Sequence, residues 1–165
     1  MQKVRIIEIP PMKAVYSGPL TDGEKFGAFV NWFSAFHSSL KCELVPRDFM
    51  WYNERVGARE WFYALPEHFD PSAITGFEIV DLPCGLFAVA SCLDADLDQM
   101  EDWMKTRGEL AEWAEKSEKF MPYQNAAGKP ERYPMFQIVS PPSLMNEGIS
   151  IEDMYFPIEF RTKDE

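Results

Sequence analysis

The sequence predicts an α+β domain made by duplication: two βαββ halves with pseudo-twofold symmetry, an antiparallel sheet covered on one face by two helices, and a ligand pocket between the halves. Three observations carry this expectation. Ile6-Ile7-Glu8-Ile9-Pro10 returns as Ile79-Val80-Asp81-Leu82-Pro83, and Met12-Lys13-Ala14-Val15-Tyr16-Ser17 returns, one residue later in register, as Leu86-Phe87-Ala88-Val89-Ala90-Ser91. Each copy is followed by a stretch whose apolar residues recur at helical spacing. Each helical stretch then leads to further strand-like runs. Two halves with one apolar sheet face and one apolar helix stripe each can bury both by joining their sheets under two helices. With 165 residues, 46% apolar and 15% aromatic, the chain has material for one domain, 1–165, and neither half is expected to fold alone. The pseudo-repeats run over about 1–75 and 76–165, with their boundary near Pro71 to Gly76.

In order along the chain, residues 3 to 9 alternate weakly and are rich in Ile and Val; Pro10-Pro11 interrupts, and Lys13 to Ser17 resumes as a second strand. After Gly18-Pro19, the spacing of Phe26, Phe29, Val30, Phe33, Phe36 and His37 predicts a helix from about Asp22 to Leu40. Val45 to about Arg59 holds Pro46, Gly57 and Trp51-Tyr52 and reads as loop and short strand, before a strand from Glu60 to Leu65 closed by Pro66. In the second half, Leu97, Met100, Trp103, Met104, Leu110, Trp113 and Ala114 predict a helix from about Asp96 to Lys119, broken near Gly108. A loop from Pro122 to Pro134 leads to a strand over Met135 to Val139, and another from Ser140 to Gly148 leads to the last strand, Ile151 to Phe160. Alternation along that strand puts Met154, Phe156, Ile158 and Phe160 on one face and Asp153, Tyr155 and Glu159 on the other.

The formal net charge is −11, from 27 acidic and 16 basic residues, and no run of Lys and Arg offers a track for phosphates. Nucleic-acid binding is therefore disfavoured. An acidic surface suits a cationic ligand or a basic partner, or serves solubility. The N-terminal residues lack the apolar core of a signal peptide and no apolar run approaches the ~18 residues of a membrane span, so a cytoplasmic protein is expected. Cys42, Cys84 and Cys92 form no paired framework and read as buried reduced thiols. His37, on the first helical stripe, and His68, in a loop, have no ligand-spaced neighbours, so no metal site is expected. A phosphate-binding Gly-rich loop, a nucleophile elbow and a Ser-His-Asp arrangement are likewise missing, and no cofactor or catalytic residue is assigned. The charge-rich stretch from Glu101 to Lys119 reads as a solvated helix face.

Two helices on one sheet face leave the opposite face partly open, and a curved sheet can hold a ligand there. Asp153 and Tyr155 would point into that concavity. In the first half, Trp51, Tyr52 and Glu60-Trp61-Phe62-Tyr63 gather rings around a carboxylate. Either Glu60 and Phe62 or Trp61 and Tyr63 face the pocket. Aligning Pro66 with Pro157 places Phe62 opposite Asp153 and favours the Glu60 and Phe62 pair. Tyr16 either caps the pocket or packs at a sheet edge, and Tyr133 and Phe136 are lesser candidates. A carboxylate in an apolar site has its charged form disfavoured until a cation or donor arrives, and each ring face contributes about 0.5 to 2 kcal/mol to a desolvated cation.

Val-Arg-Ile-Ile-Glu-Ile-Pro-Pro-Met-Lys-Ala-Val-Tyr near the start and Phe-Glu-Ile-Val-Asp-Leu-Pro-Cys-Gly-Leu-Phe-Ala-Val-Ala in the middle resemble the GyrI-like family. That family includes the effector-binding domains of AraC-type and multidrug-sensing transcription regulators. The closing Asp-Met-Tyr-Phe-Pro-Ile resembles the family's last strand, usually Glu-x-Tyr-x-Pro-Val or Ile, and the similarity covers nearly the whole chain. The resemblance implies a duplicated βαββ fold whose pocket, lined by aromatics over an acidic residue, binds lipophilic cations in the drug-sensing members. It puts the family's pocket glutamate at Asp153, one methylene shorter, with Glu152 directed into the opposite face. The duplicated domain takes up every residue, leaving no helix-turn-helix with which to read DNA. The expectation is a stand-alone small-molecule-binding protein, a sensor or a sequestering, toxin-protective binder. Its ligand, aromatic or cationic, would be held by Asp153, Tyr155, Glu60, Phe62, Trp51 and Tyr16. Two alternatives stand beside it: a hydrolase that opens strained electrophilic natural products with Asp153 or Glu60 as general acid or base, and an inhibitory protein that docks a basic partner such as DNA gyrase through its acidic surface.

Overall fold

The computed structural model describes residues 3–40, 47–94 and 101–162. Its elements are β1 (Arg5–Ile9), β2 (Lys13–Leu20), α1 (Gly23–Ser39), β3 (Asp48–Asn53), β4 (Ala58–Ala64), β5 (Glu78–Asp81), β6 (Gly85–Asp94), α2 (Glu101–Lys116), β7 (Phe120–Pro122), β8 (Met135–Ile138), α3 (Pro142–Asn146) and β9 (Ser150–Phe160). The chain is α+β, and it divides into two compact units: unit 1 is Met1–Pro10 with Pro83–Glu165, and unit 2 is Pro11–Leu82. The strand pairs within each unit are antiparallel, in the order β1-β6-β9-β8 in unit 1 and β5-β2-β4-β3 in unit 2. In unit 1, β7 pairs with the end of β9.

These units cut the chain elsewhere than at residues 71–76. In unit 1, β1 pairs with β6, and in unit 2, β5 pairs with β2. Pro10 and Pro11 lie in the connection between β1 and β2, where their φ of about −65° and missing N–H groups disfavour a tight hairpin. Within these ladders Ile6 pairs with Ala88 and Ile79 with Val15.

In unit 2, Asp22 caps α1 by accepting from the Lys25 N–H at 2.9 Å. Its ring stripe packs on β4: Phe26, Phe29 and Phe33 meet Trp61 at 5.2 to 5.9 Å, and Phe33 and Phe36 meet Tyr63 at 5.4 to 5.5 Å. Trp32, absent from the expected stripe, also meets the Tyr63 ring edge-on. In unit 1, α2 buries Trp103, Thr106, Leu110 and Ala114, at i, i+3, i+7 and i+11, and Trp103 packs edge-on against Phe136 of β8. Met104, expected in that stripe, is 51% exposed, and Leu97 and Met100 lie outside the described residues. The helix runs unbroken through Gly108, where its packed face outweighs the roughly 1 kcal/mol that one glycine costs. No described helix is long and apolar enough to cross a membrane.

Candidate functional site

Alternation along β4 decides the first assignment. Trp61 and Tyr63 contact α1, so Glu60 and Phe62 lie on the other face of the unit 2 sheet. Phe62 faces Tyr16 across the β2–β4 ladder and the two rings stack at 5.0 Å. Glu60 faces Trp51 across the β3–β4 ladder. Its carboxylate accepts from Trp51 Nε1 at 2.7 Å, from Asn53 Nδ2 at 2.8 Å and from the Tyr16 hydroxyl. A bulge in β2 between Tyr16 and Pro19, with Gly18 at φ 69°, supports this corner: Ser17 Oγ accepts the Trp61 N–H there at 2.9 Å. Thus Glu60, Phe62, Trp51 and Tyr16, all expected as ligand-binding, form one cluster, to which the structure adds Asn53.

The electrostatics of this cluster are one-sided. Glu60 is 5% exposed, and its hydrogen-bond partners among the described residues are all neutral. Burial of Tyr16 raises its hydroxyl well above the ordinary range, and the nearby Glu60 charge, the hydrogen bond to Glu60 and the charge of Glu78 act in the same direction. Tyr16 and Trp51 are half-buried, whereas Glu60 and Phe62 are covered.

In unit 1, Asp153 and Tyr155 lie on the face away from α2, as the alternation of β9 predicts. Asp153 is cross-strand partner to Ser91 on β6 and to Gln137 on β8. It accepts from Ser91 Oγ at 2.5 Å and from Arg5 Nη2 at 2.7 Å. The Tyr155 hydroxyl donates to Gln137 Oε1 at 3.2 Å and its ring meets Phe87 edge-on. Burial, helped by the Asp153 charge and opposed by Arg5, pushes the Tyr155 hydroxyl up to about 12. Asp153 and Tyr155 are buried, 7% and 6% exposed, while Arg5 and Ser91 on the same face are exposed.

Tyr155 faces Val89 in unit 1 and Phe62 faces Tyr16 in unit 2. On the other side of those strands, Arg5 pairs with Val89 and Glu78 with Tyr16. The Asp153 carboxylate meets the Arg5 guanidinium, whereas Tyr16, which donates to Glu60, also feels the Glu78 charge.

On the helix side of the sheets lie His37, Phe136 and Asp48, the last not a sequence candidate. His37 Nδ1 lies 2.9 Å from the Tyr63 hydroxyl, and Asp48 accepts from Trp61 Nε1 at 2.7 Å. Phe136 packs on Trp103. Among the described residues, no three His, Cys, Asp or Glu side chains gather closely enough to hold a metal ion.

The fold itself has solved neighbours. A hydrolase from Listeria innocua is similar over 96% of this chain and 92% of its own, at 16% identity and a TM-score of 0.61. An uncharacterized conserved protein from Listeria innocua is similar over 96% of this chain and 93% of its own, at 14% identity and a TM-score of 0.61. At these identities the likeness shows the fold alone. No family model and no curated protein matches the sequence.

Proposed function

We propose that the protein is a GyrI-like small-molecule-binding protein, built by duplication of one βαββ programme, and that Glu60 with Tyr16, Phe62 and Trp51 recognises a lipophilic cation. The observation that carries this reading is the Glu60 carboxylate, buried and hydrogen-bonded by neutral donors only among the described residues. A buried anion without a countercharge is costly, and hydrogen bonds offset only part of that cost. A cationic guest supplies the countercharge, and the stacked Tyr16 and Phe62 rings and the Trp51 indole offer it polarisable faces. Charge recognition accordingly moves from Asp153, which Arg5 already neutralises, to Glu60. The matching strand orders and the matching Glu60-x-Phe62 and Asp153-x-Tyr155 positions support the duplication. The protein then serves as a sensor or as a sequestering, protective binder.

A thermal-shift titration with methyltriphenylphosphonium and its neutral relative triphenylphosphine oxide tests this. Stabilisation of the wild type by the cation, lost in Glu60→Gln, is the expected result; a ligand at a hundredfold its Kd adds about 2.7 kcal/mol. Equal stabilisation by both compounds, or its persistence in the variant, would overturn the reading.

A second reading, a hydrolase, draws on the Listeria innocua neighbour described as a hydrolase and on the carboxylate at Glu60 beside the Tyr16 hydroxyl. Here Glu60 removes a proton from water as the water oxygen adds to a carbon of a strained ring. The breaking C–C bond carries its electron pair to a conjugated carbonyl, whose oxygen gains a proton. Incubation with excess of a spirocyclopropyl dienone separates the readings: a binder returns the compound unchanged, and the enzyme returns it with one water added.

A further inference from the structure

We propose that unit 1 carries a second, independent ligand site in which Arg5 receives the carboxylate of a small organic acid. The inference goes beyond the cation site at Glu60 and rests on unit 1 alone. Arg5 leaves β1 opposite Val89 and lies across β6 to reach β9, where a single nitrogen, Nη2, donates to Asp153 Oδ1 at 2.7 Å and to Ser91 Oγ at 3.3 Å. The N–H groups on Nη1 and Nε have no acceptor among the described residues, and the side chain is 45% exposed. Its hold on Asp153 fixes the guanidinium in place while leaving most of its donors available, which lowers the ordering cost of binding an anion.

The guanidinium is the exposed end of a built polar row. Arg5, Ser91, Asp153 and Gln137 stand on neighbouring strands β1, β6, β9 and β8, with Asp153 in direct register with both Ser91 and Gln137. The row crosses a face otherwise set with the fully buried Phe87, Val89 and Met135. Asp153 and Gln137 are themselves buried, so the row ends at the Arg5 donors and the exposed Ser91 hydroxyl. Ile7, two residues along β1 and half-buried, gives the organic part of the ligand an apolar surface beside the charge. A single guanidinium already shared with Asp153 matches a singly charged carboxylate better than a phosphate dianion, which calls for more than one cationic donor.

Asp153 is in this arrangement an internal competitor for Arg5, which gives the test its sign. Calorimetric titrations with benzoate and 1-naphthoate are compared with the corresponding alcohols at constant ionic strength. The carboxylates should bind the wild type and the alcohols should not. Asp153→Asn should bind the carboxylates about tenfold more tightly, because the guanidinium loses its internal anion. Arg5→Gln should abolish binding, and Glu60→Gln should leave it unchanged, which separates this site from the cation site. Failure of the carboxylates to bind both wild type and Asp153→Asn would overturn the proposal. So would binding that survives in Arg5→Gln, or weakened binding in Asp153→Asn. If Arg5→Gln does not fold, Asp153→Asn decides alone: tighter binding sustains the proposal, and unchanged or weaker binding overturns it.

Discussion

Asp48 sits on the α1 side of unit 2, 5% exposed, with Trp61 Nε1 donating to its Oδ2 at 2.7 Å and His37 close enough to act on its charge. Burial outweighs these favourable contacts and pushes its carboxyl from the ordinary 3.8 to about 6. A carboxyl whose folded pKa lies above its unfolded one takes up an extra proton on folding between those two values. This contribution to stability is therefore greatest below pH 3.8, falls as the pH rises through about 6, and is level above that. At about 1.36 kcal/mol per pKa unit, the buried charge costs about 3 kcal/mol at pH 7. Asp48→Asn abolishes the titration and keeps a carbonyl oxygen for the Trp61 indole. The new amide N–H groups carry a cost of their own, about 1 to 3 kcal/mol, but it does not depend on pH. The informative quantity is thus the stability of the variant relative to wild type at pH 7 minus the same quantity at pH 4. Urea unfolding should give about +2 kcal/mol, since part of the shift is already expressed at pH 4. An offset that is the same at both pH values would refute the argument that Asp48 is buried as a charge at neutral pH.

Three further outcomes follow from local geometry. Trp51→Phe keeps a ring but removes the indole donor from Glu60 Oε2, and should cost about 1 to 3 kcal/mol in urea unfolding, whereas Tyr52→Phe, on the exposed neighbour, should change stability by less than about 0.5 kcal/mol. Gly85 has φ 116°, and a Cβ there would run into the Arg132 guanidinium. Gly85→Ala should lower stability by about 1 to 3 kcal/mol, and adding Arg132→Ala should recover part of the loss relative to Arg132→Ala alone, by removing the clash but not the backbone strain. Asp22→Ala removes the cap of α1 and should cost about 1 kcal/mol, read from thermal unfolding followed at 222 nm.

What the sequence made legible was what depends on local periodicity. A period of two along β4 and β9 is enough to separate Glu60 and Phe62 from Trp61 and Tyr63, and Asp153 and Tyr155 from Met154 and Ile158, because side chains alternate whatever the strand pairs with. The stripe of α1 is legible for the same reason. Strand pairing is not local: nothing between residues 5 and 9 states that β1 joins β6, and β7 is too short to stand out before β9 pairs with it. Packing also overrode a local signal at Gly108. The most consequential illegible fact is the partner of Asp153. Its carboxylate reads like that of Glu60, two residues before a ring on the same kind of face, yet Arg5 lies 148 residues away in sequence. The ladders bring Arg5 opposite Val89 in unit 1 and Glu78 opposite Tyr16 in unit 2. Arg5 thus takes up the charge of Asp153, while the Glu78 charge adds to that of Glu60 in raising the Tyr16 hydroxyl. On the proposed function, Glu60 keeps its charge for a cationic ligand because its hydrogen-bond partners among the described residues are neutral, and the residue that decides this for Asp153 stands on β1, far from it in sequence.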